Sequence, residues 1–229
     1  MMVDASIFRM RGWAMAMLAA WFGLAAAAGG AAAHPHQFVD AKVVLLTDAA
    51  GRLKAIEASF AMDETESLYI ASEFGLDPDG PLTDAQSVEV GQAYAEGYEQ
   101  FNWFTHPRRG EDALALSTPA DARASMSDGV LTIRWTLPLA TPAPLNDPVI
   151  VQFYDPTFFA EVSVREARLS DAASVDGCGL EKTPWIPGPG DAELLAVLAL
   201  IPPTSAPEDP TIGRRFADRV EAHCGPGQA

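Results

Sequence analysis

QFVDAKVVLLTDAAGRLKAIEASFAMDE, residues 37–64, decides the fold. Val39, Ala41, Val43 and Leu45 recur at every second position, as do Ile56, Ala58, Phe60 and Met62. A period of two puts each set on one face of a strand. Asp48-Ala49-Ala50-Gly51 between the two runs is turn chemistry. The stretch therefore reads as a β-hairpin with one apolar face. Bringing the two apolar faces together around the turn 48–51 sets Val39 opposite Phe60, Ala41 opposite Ala58, Val43 opposite Ile56 and Lys42 opposite Glu57. Extended outward, the same pairing sets His36 opposite Asp63, with Glu64 beside it.

Downstream, residues 63–73 begin with acids, as a helix N-terminus favours, and Gly75 to Gly80 breaks that helix. Thr83 or Asp84 can cap a second helix running to about residues 101–104, with Val88, Tyr94, Tyr98 and Phe101 as core contacts. Strands follow over 113–117, 130–136, 149–154 and 161–169. Beyond the break Trp185 to Gly190, short helices are expected over 191–200 and 211–222. The expected class is α+β: an antiparallel sheet with an N-terminal hairpin, a helical insert and a disulfide-tied C-terminal helical segment. Residues 34–184 form its body and 185–229 a helical appendage packed on the same domain.

Upstream, Arg9 and Arg11 precede the apolar run Trp13 to Ala28, and Ala31-Ala32-Ala33 supplies small residues where a signal peptidase reads. Residues 1–33 read as a secretory signal peptide cleaved after Ala33, the run being short for an uncleaved membrane anchor. No other stretch is long enough to span a bilayer, since Leu194 to Ile201 stops at Pro202-Pro203. The mature chain is expected to be exported, periplasmic and not inserted in the membrane.

The 229 residues are 48% hydrophobic and 20% charged, which is globular composition. Lys+Arg number 15 against 31 Asp+Glu, and losing Arg9, Arg11 and Asp4 with the signal leaves 13 against 30, a charge of −17. Such acidity argues against nucleic acid and anionic membranes as partners. Cys178 and Cys224 are the only cysteines. In an oxidising compartment a lone pair reads as a disulfide, and no CxxC spacing supports the rival two-thiolate metal site.

Cleavage after Ala33 would give His34 a free α-amine beside its imidazole, a chelating pair within one residue. Pro35 has no amide N–H, which rules out coordination through successive deprotonated backbone amides. His36 shares the strand face of His34, and the hairpin pairing brings Asp63 and Glu64 across. His34, His36, Asp63 and Glu64 are thus the candidate ligands for a divalent transition metal: nickel, cobalt, zinc or copper. His106 is a remote third-ligand candidate or a helix end, and His223 beside Cys224 is of the same kind. Asp77-Pro78-Asp79-Gly80 echoes a calcium loop, but Gly75 and Gln86 stand where its first and twelfth ligands belong, so a turn and helix cap explain it equally well. The chain has no GxSxG, HExxH or phosphate loop and no catalytic cysteine, and no enzymatic activity is expected.

His34-Pro35-His36 with Phe38 and Asp40, then Phe60-Ala61-Met62-Asp63-Glu64, then Tyr154-Asp155-Pro156-Thr157-Phe158-Phe159 resemble the bacterial periplasmic family known as domain of unknown function 1007. Ile212-Gly213-Arg214-Arg215-Phe216-Ala217-Asp218-Arg219-Val220 with Cys224 also looks like that family. The resemblance covers essentially the whole mature chain. Its members carry the label of an uncharacterised ABC-type transport system component and are often encoded beside nickel/cobalt-type transporters. The resemblance implies an accessory protein for metal handling whose partner is an inner-membrane metal transporter. A metal-free interaction module docking on such a transporter is the alternative, and a binding protein for a small organic solute is disfavoured by the short chain.

Overall fold

The described residues form two five-stranded sheets. The computed structural model describes residues 35–170, 177–202 and 205–225, all within the unit His34–Ala229. His34 and the expected signal peptide lie outside the described residues. The hairpin is present as β1 (Gln37–Thr47) and β2 (Leu53–Met62). All eight alternating apolar residues named above are buried, at 3% exposure or less.

The pairing differs from the expected one by two residues: Val39 lies opposite Met62, Ala41 opposite Phe60 and Leu45 opposite Ile56. The turn explains the shift. Asp48 N–H donates to Arg52 O at 2.9 Å, and the Asp48 carboxylate accepts from Ala50 N and Arg52 N. Asp48 and Arg52 therefore close the loop one residue tighter, and a bulge between Leu46 and Thr47 adds the second step. Two single steps restore the parity, so every side chain keeps its face. Lys42 consequently stands opposite Ser59 rather than Glu57, and pairs instead with Glu166 at 3.2 Å, both side chains exposed.

The first sheet runs β5 (Ala120–Ser127), β6 (Val130–Ala143), β2, β1, β8 (Ala160–Leu169). β8 is parallel to β1, so this sheet is mixed rather than antiparallel throughout. The second runs β4 (Asp112–Ala113), β3 (Thr105–Arg109), β7 (Val149–Phe153), β10 (Arg219–Cys224), β9 (Cys178–Thr183). The apolar faces share one core, in which Phe60 of the first sheet meets Phe153 of the second at 6.3 Å and Trp135 at 5.4 Å.

The helical insert is present, but its second helix ends at Gly97 instead of running to residues 101–104, and the 3-10 segment Glu99–Phe104 follows it. α1 spans Glu64–Phe74 and α2 spans Asp84–Gly97. Asp63 caps α1, and Thr83 with Gln86 forms a reciprocal capping box on α2. Ser67 of α1 is buried, and its hydroxyl accepts Leu131 N at 3.0 Å, tying α1 to β6. α2 lies close on β5: a Cβ on Gly91 would come within 2.5 Å of Arg123 N.

The C-terminal expectation is corrected. α3 spans Asp191–Leu198, but the second expected helix is a four-residue 3-10 turn, Ile212–Arg215, followed by β10. Val220, Ala222 and Cys224 are buried while Arg219 and His223 are exposed, a period of two that puts this segment in a sheet. The molecule is thus mainly β, with few helices. Cys178 and Cys224 are directly opposed on β9 and β10 and bonded to each other. Closing that 46-residue separation is worth about 4 kcal/mol on the chain-entropy account. The bond leaves neither sulfur as a thiolate ligand.

Candidate functional site

The first strand begins against the Tyr154–Phe159 turn. His36 N donates to Phe159 O at 2.8 Å, and the two rings lie 4.9 Å apart. The turn is built on Asp155, which is 3% exposed. One carboxylate oxygen accepts from Thr157 N at 2.8 Å, the other from Phe159 N and Ala160 N at 3.0 Å each, and the Thr157 hydroxyl reaches both. Phe158 is held at φ 62°, a left-handed conformation that an aromatic residue adopts only under constraint. Asp155 thus converts the Asp-Pro-Thr-Phe-Phe motif into a fixed arm that presents Phe159 to the start of β1.

Phe159 is one wall of a cleft of about 450 Å³. Tyr94 and Tyr98 come from the end of α2, and Phe101 and Phe104 from the 3-10 segment Glu99–Phe104 that follows it. Tyr98 packs against Phe104 at 4.6 Å and against Tyr94 at 5.4 Å. Asn102, Trp103 and Phe104 form a left-handed run, with φ of 52°, 51° and 53°. Asn102 Nδ2 donates to Thr105 O at 2.6 Å and Trp103 Nε1 to Ala95 O at 2.8 Å, which hold the run in place.

Glu66 of α1 and Gln37 of β1 also line the cleft. The Gln37 side chain hydrogen-bonds the Glu66 carboxylate, yet burial, with Asp63 and Glu73 nearby, pushes its pKa above the usual carboxylate range. Burial likewise raises the phenols of Tyr94 and Tyr98, which stay neutral at any physiological pH.

Asp63 does not face His36. Its N–H donates to Phe38 O at 3.1 Å, and its carboxylate accepts Phe38 N and Glu66 N, each at 2.9 Å. Both oxygens are engaged in capping α1 and tying it to β1. This corrects the expected opposition of His36 and Asp63, and the cause is the turn closure and bulge described above. Glu64 is exposed at the first position of α1. Among the described residues, which do not include His34, no three His, Cys, Asp or Glu side chains are grouped as metal ligands.

His106 lies on β3, its ring stacked on Tyr154 at 3.8 Å and its Nε2 3.0 Å from Tyr154 O. Burial lowers its pKa to about 4. It is a packed, neutral imidazole, and not the end of a helix. His223 is exposed on β10 opposite Gly179. Asp77 accepts Asp79 N at 3.0 Å in a turn leading into the Thr83 cap, the turn-and-cap arrangement.

Residues 18–224 match the family described as Protein of unknown function (DUF1007). The chain belongs to this family. It is also 31% identical over 83 residues to an "Uncharacterized 15.5 kDa protein in trpE 3'region" of Spirochaeta aurantia, an alignment covering 36% of this chain and 59% of that protein. In this DUF1007 chain the motifs quoted from the sequence divide into two roles. Two converge on the cleft: the start of β1, and the Asp155 turn. The other two are structural: Phe60 to Glu64 closes β2 and caps α1 through Asp63, and Ile212 to Val220 packs behind the Tyr154 turn. Gly213 lies flat on Tyr154, where a Cβ would come within 2.7 Å of the ring. Asp218 accepts Val164 N and Trp185 N at 2.8 Å each.

The sequence marks Tyr94, Tyr98 and Phe101 as core contacts, with nothing to signal a site. The aromatic spacing 94, 98, 101, 104 was visible, but spacing alone does not tell a core stripe from a cleft wall. The disulfide fits an oxidising, exported compartment. No helix among the described residues is long and apolar enough to cross a membrane.

Proposed function

We propose that the protein is a periplasmic accessory for transition-metal handling, working beside an inner-membrane metal transporter, and that it captures metal at the start of β1. The observation that carries this reading is the anchoring of His36: its backbone is bonded to Phe159 and its ring packs on that side chain, so the chain is held from His36 onward. In this reading His34, with its amine, and His36 supply nitrogen ligands. Glu64 supplies the carboxylate, because Asp63 is committed to capping. The resemblance to proteins encoded beside nickel/cobalt-type transporters supports the metal class. Calorimetric titration of Ni(II), Co(II), Zn(II) and Cu(II) into the mature protein tests it. His36→Ala, or one Ala inserted before His34, should weaken binding at least about tenfold. Equal binding by all variants refutes it.

One observation favours the metal-free alternative, a module docking on a transporter. Phe38, Leu68 and Tyr69 are 54%, 49% and 60% exposed, on β1 and the adjoining α1. Ser at all three positions should then abolish association with the transporter while leaving metal titrations unchanged.

A further inference from the structure

We infer that the aromatic cleft is a binding site for a small organic ammonium ion. Its volume of about 450 Å³ falls in the range of small-molecule pockets. Tyr94, Tyr98, Phe101, Phe104 and Phe159 contribute five aromatic side chains to its lining, and no Lys, Arg or His is among its described lining residues. Ring faces carry the negative side of the aromatic quadrupole and attract a desolvated cation.

Two carboxylates reach the cleft, and they are not equivalent. Asp155 is compensated by the donors of its own turn. Glu66 has the Gln37 side chain, and no basic side chain among the described residues forms an ion pair with it. A half-buried carboxylate among aromatic rings lacks a counter-ion, and a ligand ammonium supplies one. An anion would meet Glu66 with no cation to offset it. A neutral apolar ligand would strip water from the carboxylate and return nothing. A bare transition metal would find no imidazole or thiolate among the described lining residues, and one of the two carboxylates already engaged by its own turn.

The backbone points to the same place. Six non-glycine residues among those described have left-handed φ, and Asn102, Trp103, Phe104 and Phe158 all flank the cleft. Strained conformations of this kind persist where surrounding structure enforces them, and they cluster at ligand sites. Here they set the rings of Phe104 and Phe159. The charge of −17 on the mature chain favours encounter with cations. This inference stands apart from the metal reading, since neither His36 nor Glu64 lines the cleft.

The test titrates tetramethylammonium, choline and n-butylammonium into the mature protein in excess EDTA, with 3,3-dimethylbutan-1-ol as the neutral match to choline. At least one ammonium should bind with Kd of about 1 mM or tighter, and the neutral alcohol at least about tenfold more weakly than choline. Glu66→Gln and Phe101→Leu should each cost about tenfold or more, whereas Asp77→Ala, an exposed turn carboxylate outside the cleft lining, should change nothing. Should a variant fold poorly, wild-type NMR decides: the ligand N-methyl or methylene protons should shift upfield and receive saturation from Tyr and Phe ring protons. Failure of all three cations to bind, equal binding of the alcohol, or an unchanged affinity in folded Glu66→Gln protein overturns the inference. Because EDTA removes metal, these outcomes are separate from those of the metal titration.

Discussion

Replacing Asp155 by Ala should destabilise the protein by about 3–5 kcal/mol. The carboxylate accepts three backbone amides, Thr157 N, Phe159 N and Ala160 N, together with the Thr157 hydroxyl. A buried donor left without a partner costs about 1–3 kcal/mol, and bonds to a charged acceptor lie at the upper end. Only the Ala160 amide is fully buried, and the other two recover part of their solvation from water, which holds the total to that range. For a chain of this size each kcal/mol moves Tm by about 2–4 °C, so thermal unfolding should shift down by about 6–20 °C. Asp77→Ala is the matched control. It removes an exposed turn carboxylate that accepts Asp79 N, and should shift Tm by no more than about 2 °C. Differential scanning calorimetry under non-reducing conditions keeps the Cys178–Cys224 bond intact in all samples. The Asp155→Ala protein should also lose ammonium binding, because Phe159 is no longer held. A shift below about 3 °C would refute the view that Asp155 organises this end of the molecule.

His106 gives a pH prediction. Its folded-state pKa of about 4 lies below the ordinary 6.5, so between those values the unfolded chain binds the extra proton and stability falls as pH drops. The loss across the window should be about 3 kcal/mol, and His106→Phe, which preserves stacking on Tyr154, should remove it; parallel slopes of unfolding free energy against pH for the two proteins would contradict this. Gly91→Ala should cost at least about 2 kcal/mol by urea unfolding, because the new methyl meets the β5 backbone rather than a side chain that can turn away. A neutral effect there would mean that α2 can lift from the sheet without penalty.

The alternation of Val39 to Leu45 and Ile56 to Met62 was enough to place eight core residues on the correct face, and the Thr83 cap and the acidic start of α1 marked two helices. These are local signals: a strand repeats every two residues, and a cap reports on amides two or three positions away. The cysteine pair was legible for a similar reason, since only one intramolecular bond was available. Register was not legible, because a two-residue slip preserves the face and therefore the pattern. The bulge at Leu46–Thr47 and the closure by Asp48 and Arg52 are invisible to periodicity, and they moved Asp63 from His36 to Phe38. The β10 segment fits a helix as well as a strand in sequence, because six residues are too few to separate the two periods when charged residues are interspersed. Its place between β7 and β9, like the parallel pairing of β8 with β1, depends on contacts between distant parts of the chain. The cleft belongs wholly to that level. Gln37, Glu66, Tyr94 and Phe159 are far apart in sequence, and the left-handed run at Asn102–Phe104 opposes intrinsic preference by roughly 1–2 kcal/mol per residue. A conformation that local physics disfavours can be selected only by the packing and hydrogen bonds around it, and those exist only once the sheets have closed.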